Sequence, residues 1–162
     1  MPRVYLSLGS NLEPDTHLAA ALAELRCRFG ELSVSPAYRF PAVGFDGPDF
    51  VNLAVGLDTD LDPLALNEWL HALEDRHGRR RDVPRFSSRT LDVDIVLYGD
   101  AVLSGPGHLE VPRAELAQAF VLKPLVAIAP DVVHPLLGRT LAALWQAHPD
   151  HACDFAPVRL AS

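Results

Sequence analysis

Cysteine and long apolar runs are both scarce in this chain, and each scarcity excludes something. The two cysteines, Cys27 and Cys153, have no metal-ligand spacing, and one falls in a helical pattern. A disulfide framework or a zinc site is therefore not expected, and reduced thiols in the cytoplasm fit best. No stretch approaches the roughly 18 apolar residues of a membrane span, and the first ten residues carry only a short alternating pattern. A soluble, unexported protein without a membrane partner is expected. Basic residues are the minority, 14 Lys and Arg against 21 Asp and Glu for a net charge of -7, which disfavours the broad basic surface of a nucleic-acid binder. The seven histidines show no H-E-x-x-H spacing. Gly9-Ser10-Asn11 lacks the glycine count and lysine of a P-loop, and Ser87 and Ser88 lack a glycine elbow. Low-complexity tracts, linkers and internal repeats are missing too. With 49% hydrophobic and 22% charged residues, positions 1-162 read as one globular domain.

What is present is a run of periodic segments. Val4, Leu6 and Leu8 alternate as on a strand with one buried face, ending at Gly9-Ser10-Asn11. Leu18, Leu22, Leu25 and Phe29 follow at helical spacing, between Pro14-Asp15 and Gly30. A short strand is predicted over Leu32 to Tyr38, a loop over Phe40 to Pro48, and a third strand over Phe50 to Leu57 with Phe50 and Asn52 on one face. Asp62 and Pro63 open a second helix with the stripe Leu66, Trp69, Leu70, Leu73, and Gly78 ends it. From Thr90 to Tyr98 alternation predicts a strand with Leu91, Val93, Ile95 and Leu97 on one face and Asp92, Asp94, Val96 and Tyr98 on the other. A turn at Gly99-Asp100 leads to a short strand at Ala101 to Leu103, and further helices are predicted near Ala114 to Leu122, with Pro124 interrupting, and near Arg139 to Ala147. The order is that of an α+β fold, a ferredoxin-like split βαβ with a mainly antiparallel sheet, helices on one face and extra C-terminal helices. The second face is expected to be open.

Chemistry concentrates between Gly78 and Asp100. Asp92 and Asp94 share a strand face with backbones roughly 7 Å apart, a separation at which two carboxylates repel by about 2 kcal/mol unless a cation or arginine compensates. Such an oxygen-rich pair suits magnesium, which keeps waters and completes its shell from substrate phosphates. Arg79, Arg80, Arg81, Arg85 and Arg89 exceed what two carboxylates need, and guanidinium forks match phosphate oxygens. A polyphosphate with its metal satisfies both sets. Phe50 beside Asn52 offers an aromatic plane and a carboxamide to a flat heterocycle. Mutual neutralisation of Asp92 and Asp94 by nearby arginines on a solvated face is the competing structural reading.

Taken with their context, these residues resemble the 6-hydroxymethyl-7,8-dihydropterin pyrophosphokinases of folate biosynthesis. The resemblance runs from the first strand to about Pro130 through LGSNL (8–12), YRFPAVG (38–44), PDFVNLAV (48–55), LEDRHGRRR (73–81), RFSSRTLDVDIVLYG (85–99) and FVLKPLVAIAP (120–130). It implies transfer of the terminal pyrophosphate of ATP to the pterin hydroxymethyl group with release of AMP, two Mg2+ ions as cofactors, and ATP and the dihydropterin as partners of a monomer. It also implies that Asp92 and Asp94 are the metal ligands and that Arg79, Arg81 and Arg89 are phosphate and loop arginines. Asn52 resembles the residue that bonds the pterin edge, Phe50 and Phe120 the aromatic walls, and Phe40 and Val43 the loop positions whose backbone faces the pterin. Glu74 resembles a helix carboxylate beside the nucleotide. The sequence departs from the family at Phe86-Ser87-Ser88, where tryptophan and Gly-Pro are frequent, and at Arg113, where histidine is usual. The segment before Phe120 is one residue short, leaving Gln118 or Ala119 near a usual arginine; Arg113 is the substitute for ATP-phosphate contacts, alongside Arg80 or Arg85. The readings that compete with catalysis are a weakened homologue that binds ATP or pterin without turnover, and a metal-dependent phosphohydrolase.

Overall fold

A computed structural model of the chain describes residues 1–78 and 90–160. Strand β1 (Arg3–Ser10) is followed by helix α1 (Pro14–Phe29), short strands β2 (Ser33–Val34) and β3 (Ala37–Phe40), and β4 (Phe50–Asp58). Helix α2 (Pro63–Arg76) leads to β5 (Asp92–Tyr98). A small hairpin of β6 (Leu103–Gly105) and β7 (Leu109–Val111), a 3-10 turn (Ala114–Ala117), α3 (Ala119–Ile128), α4 (Leu141–Gln146) and β8 (Pro157–Val158) complete the described chain. The main sheet has the order β5-β1-β4-β3-β8 with β2 also on β4, and every pairing in it is antiparallel. This is the split βαβ arrangement that the segment order predicts.

Local chemistry accounts for the helix ends. Pro14 occupies the first turn of α1, where its missing N–H has no intrahelical partner to lose, and Gly30 ends the helix at φ 81°. Asp62 caps α2, its carboxylate accepting from Ala65 N at 2.8 Å. Leu18, Leu22 and Leu25 of α1 and Leu66, Leu70 and Leu73 of α2 are buried against Leu6, Leu8, Leu53, Val55, Val93 and Ile95 on one face of the sheet. Each such leucine contributes about 1.5–3 kcal/mol through burial. This core anchors β1, β4 and β5 and fixes what their other face displays.

That other face is only partly open, because α3 and α4 cover one end of it. Tyr5, Ala54 and Leu97 pack there with Leu116, Val121, Leu122, Leu125 and Leu141. The strict alternation predicted for β5 also fails. Val4 pairs with Tyr98, Tyr5 with Leu97, but Leu6 with Ile95, so Val96 is an extra residue on β5. This bulge exchanges the faces of Leu97 and Tyr98. Leu97 joins the second core, while Tyr98 turns to the first and its hydroxyl donates to Leu61 O at 2.6 Å.

Other expectations need correction. The predicted strand over Leu32 to Tyr38 is two pieces, because Pro36 has no N–H for the ladder and Ser35 bends inward, its Oγ accepting from Ala54 N at 2.8 Å. Phe40 lies in β3 rather than a loop, buried against Phe155 with ring centroids 4.7 Å apart. The strand placed at Ala101 to Leu103 begins at Leu103 and continues into the β6–β7 hairpin. Pro124 sits inside α3 without ending it: as the sixth of ten helical residues it forgoes one i→i−4 backbone bond, and its side chain is buried.

Candidate active site

On the open part of the second face, the register of three strands builds one row. Gly9 of β1 lies opposite Asp92 of β5 on one side and Asn52 of β4 on the other. The next row, toward the second core, is Asp94, Ser7 and Ala54. Residues directly opposite in antiparallel strands share a face, so the two carboxylates and the carboxamide look the same way. Strand spacing places Asp92 and Asn52 about 9.5 Å apart at the backbone.

Gly9 has no side chain because none fits. A Cβ there would lie 2.5 Å from Asn52 Nδ2, so the amide lies across β1. Asn52 is buried, and among the described residues its Oδ1 finds no hydrogen-bond partner. A buried amide oxygen without a donor costs about 1–3 kcal/mol, and in a cleft it is an acceptor waiting for a ligand N–H. Phe50, two residues earlier on the same face and half-buried, meets Phe45 edge-on at 6.4 Å between centroids. Val43, 51% exposed, lies on the same 41–49 loop, and Asn11 Nδ2 donates to Pro48 O at 3.0 Å, tying this loop to the end of β1. Phe40, by contrast, directs its side chain into the packing with Phe155. Phe120 opens α3 and packs at the edge of the second core, which Ala54 also lines.

At the carboxylate end, the β5 bulge sets the geometry. Its Val96 carbonyl accepts from Arg113 N at 2.9 Å, and the guanidinium then reaches Asp94 Oδ1 with Nη2 at 3.4 Å and Glu115 Oε1 with Nε at 3.0 Å. Burial opposes the charged form of Arg113, but Asp94, Glu115 and Glu110 outweigh it and raise its pKa. A permanent cation therefore stands beside one of the two aspartates. Glu74 lies behind them. Projecting from α2 and only 3% exposed, it accepts the outward-facing Val93 N–H at 2.9 Å, between Asp92 and Asp94. It thus holds the edge strand that carries both carboxylates.

The structure therefore brings together Asp92, Asp94, Asn52, Phe50 and Arg113, with Glu74 underneath. Arg79, Arg81 and Arg89, together with Arg80, Arg85 and Phe86-Ser87-Ser88, lie outside the described residues. Sequence reasoning assigned Gly9-Ser10-Asn11 to strand punctuation first, and missed that Gly9 is the floor between amide and carboxylate. The signal was positional, one glycine in phase with the exposed face of β1. Glu115, the second partner of Arg113, gave no signal in the sequence.

Comparison with known proteins bears directly on this geometry. Residues 5–130 match the family model for 7,8-dihydro-6-hydroxymethylpterin-pyrophosphokinase. The chain belongs to this family. The pyrophosphokinase is 44% identical over 161 residues to the 2-amino-4-hydroxy-6-hydroxymethyldihydropteridine pyrophosphokinase of Pseudomonas aeruginosa, covering 96% of this chain and 97% of that one. Its identity to the enzyme of the same name from Haemophilus influenzae is 36% over 140 residues, covering 83% and 86%. In fold the pyrophosphokinase resembles the bifunctional HPPK-DHPS of Plasmodium falciparum, with a TM-score of 0.71 at 14% identity, over 91% of this chain and 43% of that one. The pyrophosphokinase thus spans less than half of the bifunctional chain. Among its described residues, no helix is long and apolar enough to cross a membrane.

Proposed function

We propose that the pyrophosphokinase carries out its family's reaction on the face built by β1, β4 and β5. The hydroxymethyl oxygen of 6-hydroxymethyl-7,8-dihydropterin attacks the β-phosphorus of ATP. The bond from that phosphorus to the α,β-bridging oxygen breaks, AMP leaves, and the hydroxyl proton is released. The observation that carries this reading is the Asp92-Gly9-Asn52 row, with carboxylate and carboxamide one strand apart on either side of a residue without a side chain. The spacing suits a ligand that offers a ring edge at one end and phosphates at the other.

The unpartnered Asn52 Oδ1 fits an N–H on the pterin edge, with Phe50 and Phe120 as walls for the ring and the backbone near Phe40 and Val43 closing the third side. Asp92 and Asp94, hard oxygen donors on an edge strand, fit magnesium, and two ions are proposed. When bound, magnesium supplies positive charge to the phosphates and orients them. Asp94 is paired with Arg113 as described. Arg113 holds that carboxylate in place, and its guanidinium can turn to a phosphate oxygen. Arg79, Arg81 and Arg89 are assigned to phosphate binding from their motif alone. Glu74 is assigned a positioning role through Val93. Catalysis of this kind rests on orientation and charge stabilisation, so no nucleophilic side chain is needed. The chain is proposed to act as a monomer in the cytoplasm.

Incubation with ATP, Mg2+ and the dihydropterin should yield AMP in proportion to pterin diphosphate. Release of ADP, or of phosphate without pterin, would overturn the reading.

A further inference from the structure

Away from the proposed active face, α1 and α2 meet at a pair of histidines that the pyrophosphokinase reaction does not use. His17, in the first turn of α1, and His77, the residue that ends α2, face each other with Nδ1 atoms 2.9 Å apart. Their ring centroids are 5.1 Å apart at 73°. Each ring presents its remote nitrogen to a carboxylate. His77 Nε2 lies 3.0 Å from Glu24 Oε2, and His17 Nε2 lies 4.0 Å from Glu13 Oε2. Glu24 is itself fixed by Arg76, whose Nε and Nη2 both lie 3.0 Å from Oε1.

Proton bookkeeping sharpens the arrangement. An ionised Glu24 only accepts, so a neutral His77 carries its proton on Nε2 and leaves its Nδ1 a lone pair. Without a metal, His17 Nδ1–H then donates to that lone pair at 2.9 Å. Moving the His17 proton to Nε2, toward Glu13, leaves two Nδ1 lone pairs converging with no net loss of a proton. An imidazole bound at one nitrogen with a carboxylate at the other is the usual support of a histidine metal ligand. Both rings are more than four-fifths buried and so largely shielded from water, with side-chain exposures of 17% and 10%.

We propose that His17 and His77 form a binding site for a divalent transition metal of tetragonal preference, nickel or copper, joining the start of α1 to the end of α2. The separation fits that class. For metal–nitrogen bonds of about 2.0–2.1 Å, nitrogens 2.9 Å apart subtend about 90° at the metal. That is the cis angle of a square-planar or tetragonal ion, whereas a tetrahedral zinc needs the nitrogens to part to about 3.4 Å. Water completes the shell. Two other histidines are committed elsewhere: His134 Nδ1 accepts from Leu136 N and Leu137 N, and His148 Nδ1 accepts from Asp150 N.

The test uses the full, untagged chain in excess Mg2+, which occupies the acidic site. Calorimetric titration with Ni2+ should show one equivalent bound, weakened at least about tenfold by either His17→Ala or His77→Ala and unchanged by Asp94→Ala. On the unaltered chain, which removes any question of whether the variants fold, one equivalent of Cu2+ should give an electron paramagnetic resonance spectrum of a tetragonal ion with two nitrogen donors. Nickel binding that survives both histidine changes but falls with Asp94→Ala would place the metal on β5 and overturn the proposal. So would a copper spectrum without two nitrogens, or no saturable nickel binding below roughly millimolar concentration.

Discussion

Gly9 separates the two halves of the proposed reaction, and the Cβ contact of 2.5 Å with Asn52 Nδ2 makes it the most sensitive small residue on the face. Gly9→Ala should leave the strand intact but push the amide off its position. Misfit of about 1–3 kcal/mol would raise the pterin KM about five- to hundredfold, with the KM for ATP changed far less; steady-state kinetics with each substrate varied separates the two. Asp92→Ala and Asp94→Ala should each lower turnover by at least about 100-fold with an unchanged circular dichroism spectrum, because both residues stand on a ligand-facing surface rather than in a core. Activity close to that of the unaltered protein in either variant would remove the metal assignment. At this scale the sequence spoke unevenly. Asp92, Asp94, Phe50 and Asn52 could be placed on shared faces by strand period alone, since alternation needs no knowledge of partners. Gly9 and Glu115 could not, because their parts depend on which strand lies beside which and on where Arg113 turns.

Among the elements, α2 holds β5 on its free side through a bond from Val93 N to Glu74. Glu74→Ala would leave a buried N–H without an acceptor, a loss of about 1–3 kcal/mol, and loosen the strand between its two carboxylates. A lowered unfolding free energy by urea titration, together with a raised KM for Mg-ATP at nearly constant pterin KM, is the expected pair of results. A loss of stability alone would mark Glu74 as structural. The turn between α3 and α4 gives a pH dependence. Burial lowers the pKa of His134 from 6.5, and its Nδ1 accepts two backbone N–H groups. The unfolded chain therefore takes up the proton first as pH falls, so the stability from this turn is present above about 6.5 and is lost as pH drops through the folded value. Titration of the His134 ring by NMR should give a midpoint below 6.5; a midpoint above it would reverse the sign. Both long helices were legible in the sequence from stripe and caps. The break at Pro36 and the continuation of α3 through Pro124 were not, since a proline's effect depends on which hydrogen bond it removes.

For the molecule as a whole, one sheet separates two cores, the larger under α1 and α2 and the smaller under α3 and α4. Trp69 packs against the first and Trp145 against the second. Because β1, β4 and β5 contribute to both, loss of the sheet dissolves both cores together. Single-tryptophan variants, Trp69→Phe and Trp145→Phe, should therefore report coincident fluorescence transitions in denaturant, as expected of cooperative unfolding. Transitions at clearly different denaturant concentrations would show that the C-terminal helices open independently. The existence of a second core was the part of the architecture least visible in advance. Its helices showed in the sequence, but the extra residue at Val96, which turns Leu97 toward them, leaves no periodic signature.

That extra residue also acts on folding fidelity. A regular strand can slip along its neighbour by one position and still present a uniform pattern, merely inverted. Here the two halves of β5 obey opposite phases, so no shifted pairing suits both. Sliding by one would drive Asp92 and Asp94 among the leucines of the larger core, where an ionised carboxylate costs several kcal/mol, while Leu97 lost its place in the smaller one. The irregularity thus works as a ratchet tooth, giving the edge strand a single frame in which the chemistry-bearing end and the packed end are correct together.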